Sequence, residues 1–201
     1  MLTMIKENNH AISKLDTEFM RLTDSLCGLL ASEGIHFSSY LPGLPLFSKL
    51  PEENKMKAIS SLQFQYDLCM EQISEGYVLK DSPSFTWRAL RKLGYVPTSD
   101  LFEKIRDDHV IEVYSADSVQ VFRNLNFFEY CSYTFEEIHS LEWFNLFDRP
   151  QAITEKIIAA TAKLFSGERR DIFDPQVPVH IVRETQSAEL LSMEFKVEML
   201  G

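Results

Sequence analysis

Few residues in this chain of 201 could do chemistry, and their spacing argues against most of it. The five histidines, His10, His36, His109, His139 and His180, never fall at a spacing that puts two on one helix face, and no Cys-x-x-Cys occurs. No metal site is expected. With 7 glycines in all, a Gly-rich phosphate cradle is not expected either. Glu136 and Glu137 could be imagined as an acid–base pair, but adjacent residues point to different sides of a helix. They follow Thr134 as acidic first-turn residues follow a helix cap. Cys131 lacks a basic neighbour in sequence to lower its pKa and lies in an aromatic run, so it reads as packing. No catalytic residue is assigned, and no enzyme is expected.

Charge narrows the field further. The net charge is −10, and an acidic surface repels a phosphate backbone. The one dense basic cluster, Arg88, Arg91 and Lys92, is too small to hold DNA and reads as a solvated helix face. No apolar run is long enough for a membrane span, and the charged N-terminus lacks a secretory core. Three scattered cysteines, Cys27, Cys69 and Cys131, suit thiols in a reducing cytoplasm better than a disulfide framework. A hydrophobic content of 45% with 15 Phe predicts a packed core.

The elements that must position these groups divide into a helical first half and a strand-bearing second half. Met1 to Leu30 reads as one amphipathic helix closed by Gly34, with Ile5, Ile12, Phe19 and Leu26 at one heptad position and Leu15, Leu22 and Leu29 at another. Two readings of that stripe are open: a helix packed on its own domain, or a seam joining two copies. Pro51 fits the first position of a second helix, whose apolar face would be Met56, Ile59, Leu62, Tyr66, Cys69, Met70 and Ile73. Ser82-Pro83 opens a third, ended by Gly94, and a short fourth follows from Asp100 to Arg106. Then Val110–Ser115 and Val119–Arg123 alternate as a hairpin. Gln151–Phe165 predicts a long helix, and Val177–Arg183 and Leu191–Leu200 two closing strands. The boundary between the halves falls at 107/108, giving residues 1–107 and 108–201. The short, apolar-containing connections predict helices packed onto the sheet-bearing half rather than tethered to it.

The stretch Asn124 to Ile138, NLNFFEYCSYTFEEI, following that hairpin, resembles the front half of a PAS domain. Asn124 matches the family's Asn, Phe127 its Phe, Tyr133 its Tyr, Thr134 its Ser, and Glu136, Glu137 and Ile138 its closing helix; Ser132 and Asn126 depart from it. With Val121-Phe122-Arg123 and with Trp143-Phe144 ahead of Asp148-Arg149, the chain looks like the N-terminal sensory regions of LuxR-type bacterial regulators. The resemblance implies an α+β fold: a PAS-like antiparallel sheet with a long flanking helix, preceded by the N-terminal helical segment. It also implies a ligand pocket between sheet and helix, for which Tyr114, Phe122, Phe127, Trp143, Phe147 and Ile158 are the candidates. No flavin-photosensor run and no His on the long helix occur, so no cofactor is expected. The function so implied is the sensory part of a cytoplasmic transcriptional regulator. It would take a small ligand or a partner and signal as a homodimer through Ile5, Ile12, Leu15, Phe19, Leu22, Leu26 and Leu29. DNA would be reached only through a C-terminal helix-turn-helix domain absent here, and no membrane is involved. The alternative is an adaptor or secreted bacterial effector that binds partners through its helical half; exposed apolar residues in the Leu41–Phe47 loop would support it.

Overall fold

A computed structural model describes residues 12–97, 100–114, 120–142, 145–168, 180–185, 187 and 190–193. The first helix, α1 (Lys14–Ser32), starts later than its heptads predict. Ser13 and Asp16 form a capping box: the Asp16 amide donates to Ser13 Oγ at 3.1 Å, and the Ser13 amide donates to Asp16 Oδ2 at 3.0 Å. Ile12 therefore precedes the helix, while Ile5 lies outside the described residues. Gly34, at φ +76°, ends the run as expected: the Ile35 amide reaches back to Leu30 O at 2.9 Å.

The apolar stripe of α1 is spent on its own fold. Phe19, Leu22 and Leu26 are 0–2% exposed inside the main core, Leu15 and Leu29 are half-buried, and Ile12 stands in solvent. This corrects the dimer-seam reading for Phe19, Leu22 and Leu26, because a side chain already enclosed in one chain has no surface to offer a second. Phe19 stacks on Phe47 at 3.9 Å between ring centroids.

Helix α2 (Glu52–Ser74) packs along α1. Pro51 is its cap rather than its first residue. Its inward face also differs from the periodicity. Lys55, Ala58, Leu62, Gln65, Leu68, Cys69 and Gln72 are buried, while Met56 and Met70 are exposed. Three polar residues hold that face because each has a partner. Gln72 Nε2 donates to Val78 O at 3.1 Å, Gln65 Nε2 reaches Arg123 O, and Lys55 Nζ donates to Asp16 Oδ1 at 2.8 Å.

Burial raises the Asp16 carboxyl pKa, but the bonds from Lys55 and Ser13 outweigh it, so the net shift is below the ordinary 3.8. A depressed folded-state pKa contributes stability above the unfolded value and loses it as pH falls through the folded one. Acid unfolding of the wild type should therefore steepen below about pH 5. Asp16→Asn, less stable at neutral pH, should show a flatter acid limb in a pH series of urea melts; parallel limbs would reject the assignment.

Helix α3 (Ser82–Lys92) is capped by Asp81, whose Oδ1 accepts from the Ser84 amide at 3.1 Å, and not by Ser82. Ser82 is instead buried beneath Asn124, whose Nδ2 donates to Ser82 Oγ at 2.7 Å and to His109 O at 2.8 Å. Asn124 Oδ1 also accepts from the Ile111 amide at 2.9 Å. The asparagine that ends the hairpin thus ties it to α3. A short helix, α4 (Leu101–Lys104), precedes the hairpin.

The second half is mixed α+β with antiparallel strands, as expected, but among the described residues its strands form two sheets rather than one. Strands β1 (Glu112–Tyr114) and β2 (Gln120–Arg123) pair as the predicted hairpin, with Val113 opposite Phe122; the turn between them lies outside the described residues. Helices α5 (Asn126–Tyr130) and α6 (Phe135–Ser140) follow. An unforeseen strand, β3 (Phe147–Asp148), opens the second sheet, in the order β3–β4–β5. Its other strands are β4 (His180–Glu184) and β5 (Leu190–Met193). Residues 177–179 and 194–200 of the predicted closing strands lie outside the described residues. The long helix α7 (Gln151–Phe165) forms where predicted, yet its buried Ile157 and Ala160 fall outside the main core.

That core crosses residue 107 without a break. Phe37 meets Phe128 at 4.4 Å and Phe135 at 5.7 Å, and Phe85 meets Phe122 at 5.9 Å, so rings from both halves interlock.

Candidate functional site

The residues expected to line a pocket are mostly packing. Phe122, Phe127 and Phe147 are 2–8% exposed. Phe127 and Phe147 meet edge-on at 6.4 Å, as do Tyr133 and Phe147 at 5.8 Å, so the rings fill the space a ligand would need. Tyr114 is half-buried, and burial pushes its phenol pKa upward. Ile158 is a correction: it is 51% exposed, and its neighbour Ile157 turns inward. One step along a helix rotates a side chain by about 100°, so adjacent isoleucines cannot share a face. Trp143 lies outside the described residues.

Sequence reasoning missed Arg123. It is 5% exposed, bonded to Glu112 Oε1 at 2.7 Å, and its guanidinium carbon lies 3.9 Å from the Phe127 ring centroid. Its place at an inward strand position beside a Phe is a weak signal, since a charged residue there usually faces out.

The groups weighed for catalysis are used structurally. Thr134 and Glu137 form the expected capping box, the Glu137 amide donating to Thr134 Oγ1 at 3.2 Å. Glu136 is fully buried and accepts three backbone N–H groups of the loop before α2: Leu41 at 2.8 Å, Leu46 at 2.8 Å and Phe47 at 3.0 Å. Burial pushes the Cys131 thiol up to about 12, with Glu184 and Glu112 adding to the shift against Arg123. Burial likewise lifts Cys27 and Cys69 to about 12, and thiols so raised hold almost no thiolate at neutral pH. Burial, helped by Arg123, pushes His139 down to about 3, so its imidazole is neutral. Among the described residues no cluster of His, Cys, Asp and Glu could hold a metal ion, and no helix is long and apolar enough to cross a membrane.

The Leu41–Phe47 loop is not the exposed apolar surface that would support the adaptor reading. Glu136 draws it inward, leaving Leu44 and Phe47 buried and Leu41 and Leu46 half-buried.

Exposed aromatic surface lies instead on α3. Trp87 is 37% exposed and stacks on Phe102 of α4, itself 50% exposed, at 6.4 Å and 30°. The Arg91 guanidinium lies 5.8 Å from the Trp87 ring centroid, one helical turn on. Arg88 covers Tyr77 at 4.4 Å. Around Trp87 a depression of about 290 Å³ is lined by Glu71, Trp87, Arg88, Arg91 and Lys92. Two of its cations are matched: Arg88 to Glu75 and Lys92 to Glu71, each at 2.6 Å. The Lys92 ammonium holds the Glu71 carboxyl below its usual range. Among the described residues Arg91 has no ion pair, which leaves a cation beside an indole. Sequence reasoning found the basic cluster but not its aromatic neighbours, because Phe102 reaches Trp87 only through the packing of α4 on α3. No family model matches the chain, and no curated protein or solved structure matches it.

Proposed function

We propose that this protein is a non-catalytic signalling module that receives its input by contact, binding a segment of a partner protein on the Trp87 face of α3. The observation that carries the reading is the solvent-facing Trp87–Phe102 stack beside the unpaired Arg91. Trp and Arg are among the residues that dominate the binding energy of protein interfaces, and here Trp87 and Arg91 stand together outside the core. An apolar side chain flanked by Asp or Glu fits this surface: the rings take the apolar group and Arg91 takes the carboxylate. DNA fits poorly. Two of the three cations are already neutralised, and the chain as a whole carries −10.

The order hairpin, short helices, long helix and antiparallel strands keeps some support for the PAS resemblance. On that resemblance the module is the receiving region of a regulator whose DNA-binding output lies elsewhere.

A short synthetic peptide carrying a Leu-Phe pair between Asp and Glu residues should bind and shift amide signals of α3 and α4 in NMR titrations. Arg91→Glu and Trp87→Ala should each weaken it at least about tenfold, about 1.4 kcal/mol, while leaving the urea midpoint almost unchanged. Shifts centred elsewhere, or unchanged affinity in both variants, would reject this surface.

A further inference from the structure

A second surface, on the outer side of the three-stranded sheet, has its own unpaired charges. Asp148, Arg149, Pro150, Ile181, Val182, Arg183 and Leu190 line an open groove of about 350 Å³. The ladder explains its make-up. Arg183 pairs with Asp148 on one side and Leu190 on the other, so their side chains share the outward face, while Val182 turns inward. Ile181 and Leu190 are 63% and 62% exposed there, so the groove carries an apolar strip beside its charges.

Arg149 is half-buried against the Phe147 ring, 6.0 Å from its centroid. Among the described residues neither Arg149 nor Arg183 forms a hydrogen bond or ion pair with a side chain. Burial pushes the Arg149 pKa down, against the pull of Glu112 and Tyr114. A half-buried guanidinium that still reaches water but has no carboxylate bonded to it is free to take a bound anion.

We propose that this groove binds a small organic monocarboxylate: the head group accepts from Arg149 and Arg183, and a short apolar tail lies along Ile181 and Leu190. The planar guanidinium fork matches a carboxylate in two parallel bonds. Asp148 on the same rim disfavours a second negative charge, which selects a monoanion over a phosphate dianion. The volume sits near the lower end of small-ligand sites, roughly 300–1,000 Å³, so the tail must be short. This site is separate from the Trp87 face and does not rest on it.

Octanoate titrated into the full chain should bind at one saturable site, with NMR shifts centred on β3, β4 and the start of α7. Acetate, which lacks the tail, and octanol, which lacks the charge, should each bind at least about tenfold more weakly. Arg149→Met should cost a similar factor, and Arg149→Lys, which keeps the charge without the fork, should fall between. Trp87→Ala should change nothing. Octanol binding as tightly as octanoate to the wild type would overturn the proposal whatever the variants do. So would unsaturable shifts spread over the surface, or an Arg149→Met protein that is folded and binds octanoate normally.

Discussion

Replacing Glu136 with alanine should lower the stability of the fold by about 3–5 kcal/mol, because it leaves three backbone donors without their acceptor. The carboxylate is fully buried and takes the amides of Leu41, Leu46 and Phe47, all within 3.0 Å. Removing it leaves three donors facing an apolar interior, and each unsatisfied donor costs about 1–3 kcal/mol unless water reaches it. The loss spreads, because those amides hold the loop that carries Phe47 under Phe19. Glu136→Gln should cost less, about 1–3 kcal/mol, since one amide oxygen still accepts while its NH2 opposes the remaining donor. Urea unfolding followed by circular dichroism would measure both. An alanine variant within 1 kcal/mol of wild type would show that the loop docks by some other means.

Phe19→Ala should be comparably severe, at about 3–5 kcal/mol, because it empties a fully enclosed site. The ring stacks on Phe47 and is walled by α1 and α2, two helices joined by the Asp16–Lys55 bridge, so the cavity has little freedom to collapse. This substitution also discriminates between the two readings of the α1 stripe. If Phe19 joined two copies, the variant would change molar mass in light scattering while each copy stayed folded. If it belongs to the core of one chain, the urea midpoint falls and the molar mass of the folded fraction does not change. Ile12→Ala, at a position 67% exposed and ahead of the helix, should stay within about 0.5 kcal/mol and serves as the control.

The residues in the Asn124–Ile138 stretch were legible as important and not as to what they do. Asn124 ends the hairpin as its type suggests, but its work is to bond α3 and the backbone at His109 and Ile111. Thr134 and Glu137 cap α6 as their spacing predicts, a property of four consecutive residues. Glu136, one residue away, belongs to a contact about ninety positions distant in sequence, with no local signature. The same division explains α2. Its periodicity proposes a face through Met56 and Met70, and the fold turns that face by one position because Lys55 meets Asp16 and Gln72 meets the Val78 carbonyl.

By itself, the sequence determined what depends on neighbours in the chain: the positions of the longer helices, the Gly34 stop, the Thr134 cap, the antiparallel hairpin and the mixed α+β class. Tertiary structure alone decided which apolar stripe was enclosed, which polar residues went inside, and that the described strands form two sheets. It also placed Trp87 against Phe102 and Arg149 beside an open groove. The physical reason is one of range. Capping and periodicity are set by backbone geometry over a few residues, whereas the fate of a charge or a ring depends on which distant group arrives to satisfy or cover it.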